Sequence, residues 1–324
     1  MPPNLAICWK HHTIRLLRVT MSQGHMVNQQ ETSHKEDSSE TARKTNLLNN
    51  THTTMFISKH PPQHARTSLT TEMFAHYLAG LIDADGHFST IAQCVICFHA
   101  TDRSLAFFIK KKIGYGQVRQ VSNKNACIYV CSHRQGLAYI AWLVHPHLNH
   151  PTKQMQLTTR IMAQAWCQEL MDEFGQSFPK VSPFASHWLT GFVEGDGSFQ
   201  IKTSKDIRVM LQVDQKESHL LELIQTRFGG YLGFRQSTQT FSYSSTSFAN
   251  AFALVKYFDQ FQPLGRKRLD YMYWRKCVLL IAQKAHLTDE GRLTIVELKK
   301  KLRKLRFEGT VPTSLEKDEF IGND

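Results

Sequence analysis

Two aspartates, Asp85 and Asp196, stand far apart in the chain, each between a small residue and a glycine: Ala84-Asp85-Gly86 and Gly195-Asp196-Gly197. A carboxylate is a hard oxygen donor, and two of them held together repel until a proton or a divalent cation relieves them. The strings leading up to these acids, LAGLIDADG (78–86) and LTGFVEGDG (189–197), match in pattern. A repeat at this spacing implies two similar halves, each delivering one acid. The chain carries a formal net charge of +12 and a pI near 9.4, so its partner is expected to be polyanionic. Paired carboxylates on such a surface suggest metal-dependent cutting of a phosphate backbone.

Something must bring the acids together. Phe74, Tyr77, Leu78, Leu81 and Ile82 recur at helical spacing, and Trp188, Leu189, Phe192 and Val193 repeat the stripe. Gly80 with Ala84, and Gly191 with Gly195, place small residues four apart on one face of each helix. Glycine inside a helix costs ~1 kcal/mol relative to alanine, and close helix–helix approach is a reason to accept that cost. Parallel packing would set Asp85 and Asp196 side by side at the C-terminal helix ends, where the helix dipole is also negative and a cation is favoured.

The two strings resemble the motifs of the LAGLIDADG homing endonucleases, in the single-chain group with two motifs, and the first has the family's eponymous letters. The resemblance spans roughly residues 72–306. It implies an α+β fold of two pseudo-symmetric α-β-β-α-β-β-α halves, with motif helices at the interface and two antiparallel sheets forming a saddle over DNA. It also implies a sequence-specific double-strand endonuclease promoting intron mobility, with Mg²⁺ (or Mn²⁺) held by Asp85, Asp196 and the carbonyls of Ala84 and Gly195. In the family, a basic residue after a Pro-Leu-like turn polarises water; HPHLNHPTKQ and FQPLGRKR give Lys153 and Lys267. The family's polar residue at the end of the second strand falls on Gln215, and in the first half on Ala100, a departure from the pattern. Asp83 and Glu194 read as caps of the following turn. Some relatives are RNA maturases assisting group I introns, and a catalytically degenerate DNA-binding protein on this fold is the third reading. A monomer with an internal pseudo-dimer, a DNA target of about two helical turns, and an organelle, the mitochondrion before the chloroplast, complete the implied picture.

Alternation along the strands marks a candidate DNA face. Ser198, Gln200 and Lys202 oppose Phe199 and Ile201, and Arg208, Met210 and Gln212 oppose Val209, Leu211 and Val213. The next hairpin offers Arg235 and Ser237, with Gln239 and Tyr243 as further candidates. The first half offers Ser89, Ile91 and Gln93, then Gln117 and Arg119. A two-stranded ribbon fits the major groove, where Arg reads guanine and Gln reads adenine.

The expected organisation is an irregular extension over 1–70, a first half over 71–173, a linker over 174–184, a second half over 185–310 and a tail over 311–324. Within it the pattern predicts a strand pair over 87–99, helices over 104–113, 134–144 and 152–171, and a hairpin of 117–121 with 126–132. The second half repeats with strands at 198–202, 207–214, 231–236 and 239–245, and helices at 216–228, 247–258, 266–286 and 288–306. Fourteen Lys and Arg against five Asp and Glu in 256–306 concentrate the positive charge. Seven scattered cysteines suggest a reducing compartment rather than a disulfide framework. Cys94 and Cys97 would point to opposite faces of a strand, which argues against zinc. No run of ~18 uninterrupted apolar residues suggests a membrane span.

Overall fold

The structure is a computed structural model that describes residues 57–60, 62, 63, 68–204 and 206–308. Most of the expected N-terminal extension and the whole C-terminal tail lie outside these residues. The described residues form ten α-helices and two four-stranded antiparallel sheets, an α+β architecture. None of these helices is long and apolar enough to cross a membrane.

The first half begins with α1 (Thr71–Asp85), capped by Thr70, whose hydroxyl accepts from the Met73 amide at 3.2 Å. It ends where Gly86 turns extended and starts β1 (Gly86–Phe88). β2 (Cys94–His99), α2 (Arg103–Ile113), β3 (Gln117–Gln120), β4 (Ala126–Cys131) and α3 (Arg134–Val144) follow. The sheet order is β1-β2-β4-β3. The second half opens with α6 (Trp188–Asp196). It continues through β5 (Gly197–Thr203), β6 (Ile207–Gln215), α7 (His219–Phe228), β7 (Tyr231–Arg235), β8 (Thr240–Ser244) and α8 (Phe248–Gln260). Its sheet repeats the order as β5-β6-β8-β7. In both halves the motif helix packs on the first two strands of its own sheet.

Several boundaries differ from those predicted. The predicted helix 152–171 is two helices, α4 (Pro151–Leu157) and α5 (Ala165–Asp172), separated by a π turn over Thr158–Met162. In the predicted strand pair 87–99, β1 stops at Phe88 because residues 89–93 form a tight turn. There the Ser89 amide donates to the Gln93 carbonyl at 2.8 Å and Ala92 takes φ +54°. The helix predicted over 266–286 is α9 (Lys267–Ala282). The terminal basic helix α10 (Asp289–Glu308) starts after Thr288, whose hydroxyl accepts from the Gly291 amide.

Residues 58–60, 62 and 63, predicted irregular, form neither helix nor strand, yet their backbone is held against the second half. Arg275 donates to the Ser58 carbonyl at 2.7 Å, Arg268 to that of Pro62 at 3.1 Å, and Gln262 to that of Gln63 at 2.6 Å. Arg275 is itself buried and gripped by the Asp259 carboxylate at 2.7 Å.

Candidate active site

The motif helices approach as closely as backbones can. A Cβ placed on Gly80 would lie 1.9 Å from the Trp188 carbonyl oxygen, and one on Gly191 would lie 2.0 Å from that of Tyr77. The two contacts are equivalent across the pseudo-two-fold. At the C-terminal ends, a Cβ on Gly195 would meet the Ala84 methyl at 2.5 Å and an Asp85 carboxylate oxygen at 2.8 Å. The Asp85 carboxyl therefore lies against the backbone that carries Asp196.

Two further acids, each two residues earlier, lock this arrangement. The buried Asp83 accepts from the backbone amides of Asn149 and His150 at 2.8 and 3.2 Å, and from the Trp188 indole across the interface at 2.7 Å. The buried Glu194 mirrors it, accepting from the Leu264 amide at 2.9 Å and from the Tyr77 hydroxyl across the interface at 3.1 Å. Burial pushes the Asp83 carboxyl up to about 7, against the opposing pull of these donors and of Lys153. It raises Glu194 as well, opposed mainly by Lys267. These acids hold the two turns from which the lysines project.

Lys153, in the first turn of α4, donates to the Gly86 carbonyl at 2.5 Å. Lys267, the first residue of α9, donates to the carbonyls of Glu194 and Gly195, the latter at 2.9 Å. Both ammonium groups thus reach the ends of the motif helices, at different carbonyls. The Gln215 amide donates to the Asp196 carboxylate. The position that corresponds to Gln215 in the first half carries no such amide. Counted back from the glycines that end the following helices, Gly114 and Gly229, Ala100 corresponds to Gln215. Counted from strand pairing, Gly86 faces Ile96 as Gly197 faces Val213, which puts Phe98 there instead. Ala100 begins a 3₁₀ turn, and neither residue can donate a side-chain hydrogen bond. His99 and Thr101 bond one another at 2.8 Å.

The described residues contain no cluster of three His, Cys, Asp or Glu arranged to hold a metal. Two carboxylates and main-chain carbonyls at negative helix ends do fit a hard cation that completes its shell with water and phosphate oxygens. The donor set is all oxygen, and a lysine ammonium already lies against one of the candidate carbonyls.

The predicted DNA-facing residues divide. Ser198, Gln200 and Lys202 on β5, with Arg208 and Gln212 on β6, share the face opposite the core. There Gln200 donates to the Gln212 carbonyl oxygen at 2.9 Å, and the Gln212 amide donates to Asp214 at 3.0 Å. Arg235 comes within 3.7 Å of the same carboxylate. Asp214 was not singled out from sequence, although its place two residues after Gln212 was the available signal. Arg119 is exposed on β3 and fixed by Gln117, which accepts from it at 2.7 Å. Ser89 and Gln93 are not on a strand face: the Ser89 hydroxyl accepts the Gln93 amide within the tight turn. Ser237 lies in the exposed β7–β8 turn. Tyr243 is fully buried on the core face, its hydroxyl donating to the Gly229 carbonyl. Cys94 is buried and Cys97 half-buried on the opposite face, so they form no zinc pair.

Two acid-ended helices packed between two like sheets define a single-chain, two-motif nuclease architecture. The model of the family described as LAGLIDADG endonuclease matches residues 189–278, within the second half. An uncharacterised protein of cox1 intron 2 in Schizosaccharomyces pombe is 38% identical over 249 residues, 75% of this chain and 77% of that protein. The chain belongs to the LAGLIDADG endonuclease family. A probable intron-encoded endonuclease of Neurospora crassa is 23% identical over 73% of this chain, which spans 45% of that protein. Among solved structures, I-SmaMI bound to an uncleaved DNA target with calcium ions is similar in fold, with a TM-score of 0.53. It is 22% identical, and the match covers 71% of this chain and 98% of that one.

Proposed function

We propose that this chain is a sequence-specific double-strand DNA endonuclease that promotes mobility of its own intron, acting in mitochondria. The observation that carries the reading is the contact of the two acid-bearing helix ends, with Asp85 against Gly195. Asp85 and Asp196, with the carbonyls of Ala84 and Gly195, would hold Mg²⁺ or Mn²⁺. When bound, such a cation stabilises the attacking and leaving oxygens of phosphodiester hydrolysis. Gln215 holds the Asp196 carboxylate in place. Lys267 and Lys153 bring positive charge to the helix ends, where a scissile phosphate and its attacking water are attracted and ordered. Asp83 and Glu194 position those lysines by gripping the turns before them.

The test is cleavage of a duplex carrying the ligated flanking exons, with Mg²⁺, with EDTA, and with Asp196→Asn. A Mg²⁺-dependent double-strand break lost in the variant is the expected result. Tight binding of intron RNA without cutting would overturn it in favour of a splicing role.

A further inference from the structure

The two sheets turn chemically different faces outward. On the second sheet, Gln200, Gln212 and Asp214 form one hydrogen-bonded relay that fixes which end of each amide points where, with Arg235 beside the Asp214 carboxylate at 3.7 Å. Such a face discriminates bases by donor and acceptor pattern. On the first sheet, strand register places Val95 and Cys97 of β2 beside Val130 and Ile128 of β4, on the face opposite the core. The core face is occupied by Phe88, Ile96, Phe98 and Tyr129. Val95 is buried, and the other three members of the outer patch are half-buried. At its margin β3 adds Gln117 and Arg119, both exposed and bonded to each other.

We propose that the first sheet reads its half of the target through the 5-methyl groups of thymine, with Cys97, Ile128 and Val130 as the reading surface above the buried Val95. This rests on the nuclease reading above. The patch continues the same sheet that follows Asp85, so it meets the duplex next to the cut. Valine and isoleucine side chains carry no donor or acceptor and are blind to the hydrogen-bond code of a base edge. The thymine methyl is the apolar group that the major groove offers, and apolar contact is how proteins recognise it. Arg119 at the margin, held by Gln117, is placed to engage a phosphate or a flanking guanine. The target is therefore read by two chemistries, methyl contact on one side of the cut and hydrogen bonding on the other.

The test starts with selection of bound duplexes from a randomised pool by the full chain. Thymines are then replaced by deoxyuridine, which lacks only the methyl, in one half-site at a time. The expected result is one thymine-enriched half-site whose replacement weakens binding by about fourfold per contacted methyl, while replacement in the other half changes it less than twofold. Ile128→Thr should reduce the deoxyuridine effect, and Arg235→Ala should leave it intact. Binding that is insensitive to deoxyuridine in both halves, or equally sensitive in both, overturns the inference and leaves the nuclease reading standing. Failure to enrich any duplex overturns the nuclease reading as well. The deoxyuridine comparison requires no variant, so a misfolded Ile128→Thr would not obscure it.

Discussion

Replacing Gly80 with alanine tests the packing on which the site depends. The added methyl would lie 1.9 Å from the Trp188 carbonyl oxygen and 2.8 Å from the Phe192 nitrogen, whereas ordinary contact begins near 3.4 Å. The helices must therefore part by about 1.5 Å, because both obstacles are backbone and cannot rotate away. Alanine's helix propensity returns ~1 kcal/mol. Overpacking of a tight core costs about 1–3 kcal/mol, and here the whole fully buried row of Tyr77, Leu78 and Phe192 loses contact together. A net loss of about 2 kcal/mol is expected, which lowers the melting temperature by roughly 4–8 °C in a protein of this size. Cutting should suffer more than stability. Parting the helices moves Asp85 away from Asp196, and a misplacement of ~1 Å costs about 100-fold in rate. Gly191→Ala, facing the Tyr77 carbonyl at 2.0 Å, should behave the same way. The assays are differential scanning calorimetry and plasmid cleavage. If both variants melt at or above the parent temperature and cut normally, the close approach of the motif helices is wrong.

Trp188→Phe removes the indole donor that reaches the buried Asp83 at 2.7 Å. A hydrogen bond to a charged group is worth about 1.5–3 kcal/mol, so chemical denaturation above pH 7, where the Asp83 carboxyl is ionised, should show a loss in that range, and an unchanged midpoint would contradict the cross-interface lock. Gln215→Leu should slow cutting about 10- to 100-fold on one strand, since Gln215 holds the Asp196 carboxylate. Nicked circles should accumulate on a gel, and equal slowing of both strands would argue against the assignment. A fourth prediction concerns histidines crowded at the N-terminal end of the helix pair. His76 and His147 lie with ring centroids 4.1 Å apart, and burial, reinforced by neighbouring His76, His145 and Lys180, lowers His147 to about 4. His187 is likewise lowered to about 4 by burial and by His76, while Glu72 pulls His76 the other way. These groups are neutral when folded and titrate near 6.5 when unfolded. Their stabilisation is complete above pH 6.5 and disappears as pH falls toward 4. Asp83 has the opposite sign, its contribution fading as pH rises toward 7, so the measurement is a difference. His147→Gln should flatten the acid limb of stability against pH relative to the parent, and an identical slope would refute this.

The motif helices were readable because two periodicities coincided: an apolar stripe through Tyr77, Leu81 and Trp188, and small residues four apart on the packing face. The acids at their ends followed from that geometry. What spacing does not encode is which polar atom meets which across the interface. Trp188 reads from sequence as an apolar core residue, and its bond to Asp83 exists only once the second helix is docked. Strand length was equally hidden. Alternation through Ser89, Ile91 and Gln93 looks like a strand, but the left-handed backbone at Ala92 turns the chain back instead. The break between α4 and α5 contains neither glycine nor proline, so nothing in the 152–171 pattern signalled the π turn. The family pattern puts the first half's polar position on Ala100, whereas strand pairing brings Phe98 to the equivalent place.

One pair of hydrogen bonds bears on how the molecule came to be. Tyr129 donates to the carbonyl of Tyr115, and Tyr243 to that of Gly229, each fourteen residues earlier and each followed by a glycine at positive φ, Gly116 and Gly230. The same bond at the same separation in both halves is the mark of an ancestral gene copied and fused to itself. The concealed side of each sheet has kept this shared framework, while the outward sides differ, with an apolar centre in one half and a polar one in the other. A single-motif ancestor acting as a homodimer would have been confined to palindromes. Fusion freed each face to drift alone, so exchanging the β2–β4 surface of one half should change half of the address and leave the frame intact.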